Sequence, residues 1–309
     1  MKCLMKWFCD MKTKNEPIPA RRDPLILSDL PYFNDYKIVR DGEFETPSLR
    51  GLFNKKVIIC AFGNFDPEKF NTEHGISCVI ADEKMGKEVP DRLGLVISAK
   101  PMECLIGLHL YLHEKSYYTI DQASVIDETA FIHPTAWVDA TGVTIGPGSE
   151  VGPNAVLYSG TRVGRSVKIG ANVTIGSQGF EVRRFQGKKI NLPHVGRVEL
   201  HDYSEIQANA AVAKAIFDDA TVIGEGTTLA HSSFVSHGSK VGKQVKIAPG
   251  AVICGTVTIG DDVWIGPNAT VSNGLKVGDG AFISIGSTLV GSLEEDDRAY
   301  GHFAKIKRT

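Results

Sequence analysis

Aromatic residues make up only 8% of the 309-residue chain, and no apolar run is long enough to span a bilayer, so a membrane-spanning helix is excluded. Charge of one sign is also missing. Lysine and arginine number 34 against 36 acidic residues, giving a formal net charge of −2 with both signs dispersed. That balance argues against a nucleic-acid groove or an anionic membrane as partner. The six cysteines (Cys3, Cys9, Cys60, Cys78, Cys104, Cys254) show neither a pairing pattern nor zinc-ligand spacing, which fits reduced thiols in a cytoplasm. No metal and no tightly bound cofactor is expected. The start, M-K-C-L-M-K-W-F-C-D, interrupts its apolar residues with charge and has no small-residue cleavage site, so a secretory signal is not expected.

What the chain does have is a period of six. An aliphatic residue recurs at Ile223, Leu229, Val235, Val241, Ile247, Ile253, Ile259, Ile265, Val271, Val277, Ile283 and Leu289. A helix repeats near 3.6 residues and a half-buried strand near two, so neither produces this. A triangular coil does: three short strands per turn each send one aliphatic side chain inward, and residues eighteen apart stack about 4.8 Å from one another. A small residue four positions later (Ala251, Val263, Ala269, Ala281, Ser287) completes the core, and 32 glycines supply corners. The interior is too narrow for many rings, which accounts for the scarcity of aromatics. An earlier block, Ile126, Ile132 and Val138, slips by one residue and resumes at Ile145, Val151, Leu157, Val163, Ile169 and Ile175. The interval from Phe180 to Val222 breaks the register, and its basic stretch from Arg183 reads as a loop thrown out from one corner. Insertions in solenoids usually mark the functional face.

Before the coils, Val57–Phe62, Ser77–Asp82 and Leu93–Ala99 read as buried strands, and Pro101 opens a helix. This alternation predicts a small α/β domain. Its first strand is followed by a single glycine rather than G-x-G-x-x-G, which disfavours a dinucleotide site. Phe62, Phe65 and Phe70 are candidates for stacking a base, although aromatics following a strand are more often core.

The candidate chemistry lies in the long register. His231 and His237 hold the same place in adjacent hexads, which sets them on different corners, about 120° apart. His237, Gly255 and Asn273 follow at intervals of eighteen and form one column. An imidazole above a glycine amide suits acyl transfer: a base for an incoming amine, and an N–H for the tetrahedral oxyanion. A lone surface histidine that is merely solvated is the competing reading.

The blocks I-G-S-Q-G-F at Ile175, K-I-N-L-P-H-V-G-R-V ending at Val198, F-D-D-A-T-V-I-G and F-V-S-H-G-S-K-V-G resemble the hexapeptide N-acyltransferases related to the UDP-3-O-(3-hydroxyacyl)glucosamine N-acyltransferase of lipid A synthesis. The resemblance implies a left-handed β-helix, an exception to the usual right-handed crossover, and a homotrimer with active sites between subunits. It implies His237 as general base, Gly255 as oxyanion donor, and a uracil held by aromatics of the α/β domain. A-F-G-N-F-D-P-E-K-F is a stretched form of the family's F-x-x-N-P-K-Y, which points to Phe62 and Phe70. His231 and Asn273 are further substrate-binding candidates.

Departures bear on the donor. The lipid A enzymes carry D-R-G after the insertion, where this chain has Ala213, Lys214 and Ala215, and a histidine after N-G, where it has Leu275. They end in a helical extension for acyl carrier protein. The ending Y-G-H-F-A-K-I-K-R is instead similar to coenzyme A-dependent sugar acetyltransferases and points to Lys305, Lys307 and Arg308 for the coenzyme A phosphates. The expectation is an N-acyltransferase acting on a nucleotide-linked amino sugar for surface polysaccharide or lipopolysaccharide, with acyl-CoA favoured over an acyl carrier protein thioester. Two other classes compete. A zinc carbonic anhydrase would recruit His231, His237 and His201 across an interface, and a non-enzymatic scaffold would leave the loop and the α/β domain without a role. The expected organisation is an N-terminal extension (1–30), an α/β nucleotide-sugar-binding domain (31–118), a left-handed parallel β-helix (119–290) with a loop at 180–198, and a C-terminal tail (291–309).

Overall fold

The computed structural model describes residues 23–52 and 55–301. The chain forms two compact units, divided between Pro101 and Met102.

The first unit is built on a five-stranded sheet. Thr46–Pro47, Val57–Ala61, Ile76–Ala81 and Gly94–Ile97 run parallel in that order, and Lys37–Arg40 adds an antiparallel edge. The central strands are mostly apolar (Val57, Ile58, Ile59, Val79, Ile80), because these residues are buried on both faces. Phe65 and Phe70 pack their rings 5.0 Å apart beside this sheet, and Phe70 belongs to its core.

The second unit is a three-sided parallel β-helix. Strands of two to four residues stack into three ladders of eight, eight and nine, and within the regular coils each residue pairs with the one eighteen positions on, as Phe234 does with Val252 and Lys240 with Thr258. The predicted inward aliphatics form one continuous core from Ile145 to Leu289, with Ala251, Val263, Ala269 and Ala281 filling the corners behind them. The chain turns those corners in the left-handed region, with φ between 56° and 61° at Asn154, Asn172 and Asn209; asparagine tolerates this conformation better than larger residues. Here the three asparagines also hydrogen-bond in a ladder.

The three faces differ outside. The ladder through Trp137, Val156, Thr174, Ala211, Phe234, Val252, Thr270 and Thr288 carries no charge on its outward column. A second column alternates Glu150, Lys168, Glu205, Thr228, Lys246, Trp264 and Phe282. The third includes Arg162, Glu199, Val222, Lys240, Thr258 and Lys276.

The breaks in the hexads are not one irregular interval. Leu200, Ile206 and Val212 keep the six-residue spacing and sit in the core. Extra residues enter between Val138 and Ile145, between Ile175 and Leu200, and between Val212 and Ile223, and all three insertions fall at the corner joining the uncharged face to the third. The longest contains a hairpin, Val182–Phe185 paired with Lys188–Asn191. It is not simply thrown out from the corner but folds back onto its own chain. Leu192, Ile190 and Phe185 pack against Ile216, Phe217 and Ile106 of the helix Pro101–Glu114, each fully buried apolar side chain contributing roughly 1.5–3 kcal/mol. That packing draws most of the helix into the second unit, ahead of the predicted boundary at 118. His109 completes the contact, its Nε2 2.8 Å from the carbonyl of Pro193.

Candidate active site at the interrupted corner

His237 stands at this same corner, between Phe234–Val235 on the uncharged face and Lys240–Val241 on the third. Its backbone is pinned on both sides. The carbonyl accepts from Thr256 N–H at 2.9 Å. The next residue, Gly238, turns at φ 67° and donates to the buried hydroxyl of Thr221 at 2.8 Å, which in turn donates to the carbonyl of Ala213.

The imidazole is 10% exposed rather than solvated. Its floor is Gly255: a Cβ there would lie 2.3 Å from Cε1 and 2.6 Å from Nε2 of His237, so the ring occupies the space that only glycine leaves open. The long insertion closes the other sides. Glu181 Oε2 approaches Nε2 to 3.6 Å, and the ring of His194 meets that of His237 edge-on, centroids 5.4 Å apart. Nδ1 of His237 is buried without a hydrogen-bond partner. Burial pushes the imidazole below the ordinary histidine value, Glu181 pulling it up and Arg183 adding to the depression. His237 is thus neutral at physiological pH, the form a base requires.

His194 is 2% exposed, and burial pushes it down to about 4. Its Nδ1 lies 2.9 Å from the carbonyl of Leu192, and its backbone N–H donates to Oε1 of Gln178 at 2.8 Å. Nε2 has no partner. Lys214 occupies the corner of the preceding coil. Burial lowers its ammonium, with Asp139 opposing. On the third face Lys240 pairs with Asp219 at 2.8 Å and Arg197 with Asp218 at 2.7 Å, fixing the F-D-D segment.

The predicted column of His237, Gly255 and Asn273 is present, with one change. The Gly255 N–H is already engaged, donating to Oδ1 of Asn273 at 3.0 Å, so an oxyanion reaches this amide only when that side chain turns away. His231 lies on the next corner, in a shallow groove of about 380 Å³ with Phe131, Lys168 and Glu205, and is not brought to His237 within the chain. Phe62 is 41% exposed, as a stacking residue needs, whereas Phe70 is 1% exposed. The Phe70 assignment is therefore corrected: its ring is committed to the sheet core and has no face to offer a base. Lys305, Lys307 and Arg308 lie outside the described residues. Among the described residues no three histidine, cysteine or carboxylate side chains converge as a metal site, and no helix is long and apolar enough to cross a membrane.

Glu181, Arg183 and His194 carry no period or motif that marks them, though His194 closes K-I-N-L-P-H, one of the blocks shared with the acyltransferases. Their position on the longest insertion among the described coils is the signal the sequence carries for them.

The bacterial transferase hexapeptide model, six repeats, matches residues 142–177 and 256–291. UDP-3-O-acylglucosamine N-acyltransferase 1 of Legionella pneumophila (strain Paris) is 41% identical over 68 residues, 22% of this chain and 19% of that protein. UDP-3-O-acylglucosamine N-acyltransferase of Shewanella denitrificans is 35% identical over 81 residues, 26% of this chain and 24% of that protein. These matches span about a quarter or less of the relatives' length. Among solved structures, UDP-N-acetylglucosamine acyltransferase from Campylobacter jejuni aligns at 20% identity over 57% of this chain and 68% of its own, with a TM-score of 0.47. The chain thus carries bacterial transferase hexapeptide repeats on a parallel β-helix and is similar, over its matched segment, to the UDP-3-O-acylglucosamine N-acyltransferases.

Proposed function

We propose that the chain is an N-acyltransferase, moving an acyl group from a thioester to the amine of a nucleotide-linked amino sugar for surface polysaccharide or lipopolysaccharide. The observation that carries this reading is the buried, neutral imidazole of His237 lying directly on Gly255. The amine attacks the thioester carbonyl, forming the C–N bond, and His237 takes the amine proton. The tetrahedral oxyanion turns to the Gly255 N–H, displacing Asn273. The intermediate collapses with loss of the C–S bond, and the proton passes to the leaving thiolate. Proton transfer of this kind contributes roughly 10²–10⁴-fold, and an oxyanion donor about as much again.

Acyl-CoA is the favoured donor, held by Lys305, Lys307 and Arg308, with Phe62 against the nucleotide. The similarity to UDP-3-O-acylglucosamine N-acyltransferases supports a second reading, in which the acceptor is that acylated sugar nucleotide and the donor an acyl carrier protein thioester. A homotrimer suits either. The uncharged outward column from Trp137 to Thr288 runs alongside the His237 corner, and Phe180, 81% exposed, projects beside Glu181 where a second copy would cover it. Closed cyclic symmetry gives each protomer one such cleft.

The decisive experiment is a thiol-release screen of nucleotide-linked amino sugars against acetyl-, 3-hydroxybutyryl- and longer acyl donors, each offered on coenzyme A and on carrier protein. Release that requires an amino sugar supports the proposal, and its absence with every pair of substrates refutes it.

A further inference from the structure

The geometry points to Glu181 as the positioning carboxylate of His237, supplied by the inserted hairpin rather than by the coil that carries the base. This assignment rests on the acyl-transfer reading of the corner. A catalytic imidazole that accepts a proton becomes a cation, and in a buried corner that cation needs an acceptor. Within its own coil His237 has none: the next residue is Gly238, without a side chain, and Nδ1 is buried without a partner.

Glu181 meets the other nitrogen. Its Oε2 lies 3.6 Å from Nε2, slightly beyond hydrogen-bond length while the ring is neutral. Once the ring has taken the amine proton it is a cation, and a carboxylate 3.6 Å from Nε2 stabilises that charge. The carboxylate is held for this. Its side chain is only 15% exposed, and its Oε1 is taken by Nε of Arg183. The backbone around it is fixed from both directions, the N–H of Glu181 donating to Oδ1 of Asn191 at 3.2 Å and its carbonyl accepting from the N–H of Leu192 at 2.9 Å. The hairpin register thus sets the height of the carboxylate on the imidazole, and the burial of Leu192 anchors the hairpin.

The other groups facing His237 leave this role to Glu181. His194 is on the edge of the ring and stays neutral down to about pH 4. Arg183 is cationic and opposes protonation, and Lys214 acts on His194 from the preceding corner. Gly255 and Asn273, on the coils beyond, are uncharged. Burial and two charged groups therefore set the basicity of His237: burial and Arg183 lower it, and Glu181 raises it.

The test uses the full chain with histidine labelled for NMR, the His237 signal being identified by its loss in His237→Gln. In Glu181→Gln the imidazole should titrate at lower pH than in the wild type, and in Arg183→Gln at higher pH. With the best acyl donor, kcat of Glu181→Gln should fall roughly ten- to hundredfold, as for the loss of one contact to a charged group, and the acid limb of its pH profile should move with the NMR titration. Glu181→Asp, which keeps the charge on a shorter arm, should recover part of both and serves if the glutamine variant folds poorly. An unmoved His237 titration in both Glu181 variants overturns the assignment. A wild-type chain inactive with every donor, but showing the shift in Glu181→Gln, would retain the pairing and refute the proposed function instead.

Discussion

The backbone N–H of Gly255 donates to the side-chain oxygen of Asn273, one coil further on, while the imidazole of His237, one coil before, lies on the same glycine. The base and the amide proposed for the oxyanion thus share one residue, and the amide is capped. If Asn273 only caps it, Asn273→Ala removes a bond worth about 1 kcal/mol and should raise kcat/KM several-fold. Asn273→Asp keeps an acceptor and adds negative charge where the oxyanion develops, so turnover should fall by roughly 10²–10³. A loss of that size in Asn273→Ala would instead make the asparagine itself an oxyanion contact.

His237→Ala should lower turnover by roughly 10²–10⁴ without altering the far-ultraviolet circular dichroism. His231→Ala, on the next corner, should stay near wild type, unless a neighbouring copy presents His231 to the cleft. The pH profile has a defined sign. The base must be neutral, and burial depresses His237 below the ordinary value of 6.5. Turnover should therefore hold as pH falls through 6.5 and decline only below it.

How far the sequence reaches is plain at this corner. The hexads identify the coils, their eighteen-residue stacking and the column of His237, Gly255 and Asn273, because each depends on a period that every coil repeats. The contacts of Glu181 and His194 with His237 depend on the path of a hairpin, which no period encodes, so they appear only in three dimensions. The same reason hides the coincidence of all three insertions at one corner, since the residues Leu200, Ile206 and Val212 look irregular until the flanking insertions are removed. Phe70 shows the opposite limit: an aromatic after a strand is more often core than a base platform, the motif alone pointed to the base, and burial decides for the core.

Assembly is testable on the faces themselves. A glutamate for Val252, in the middle of the uncharged column, would place a carboxylate in the proposed interface, where an unpaired buried charge costs several kcal/mol. Sedimentation should show a trimer in the wild type and a smaller species in Val252→Glu, with activity lost alongside. Thr228→Glu, on the face that already alternates Glu205 and Lys246, should remain trimeric. A fully active wild-type monomer would contradict the inter-subunit cleft.

The helix Pro101–Glu114 carries an acid-sensitive contact. Burial pushes His109 down to about 4, and its Nδ1 has no partner, so protonation would place a charge in a pocket lined by Tyr118 and Phe217. The unfolded chain binds this proton near pH 6.5 and the folded chain near 4, so stability is full above 6.5 and falls as pH drops between them. The contribution is about 3 kcal/mol for a shift of this size. Melting temperatures should decline over that window, and less steeply in His109→Gln, whose amide keeps a donor for Pro193 but does not titrate.

The donor is the last point to test. Coenzyme A is a soluble nucleotide thioester whose phosphates need fixed cations, whereas a carrier protein needs a docking surface of protein size. Lys305, Lys307 and Arg308 place three cations within four residues of each other, a density that suits phosphates better than a dispersed interface. If they hold the coenzyme, charge reversal at Lys305 and Lys307 removes charge-assisted contacts of about 1.5–3 kcal/mol each and should raise KM for acyl-CoA at least tenfold. KM for the sugar nucleotide and kcat should change little, because the loss falls on binding of one substrate only. Should turnover occur only with carrier-protein thioesters, and best with long 3-hydroxyacyl chains, the acceptor and donor of the second reading replace those proposed, while the roles proposed for His237 and Gly255 in N-acyl transfer are retained.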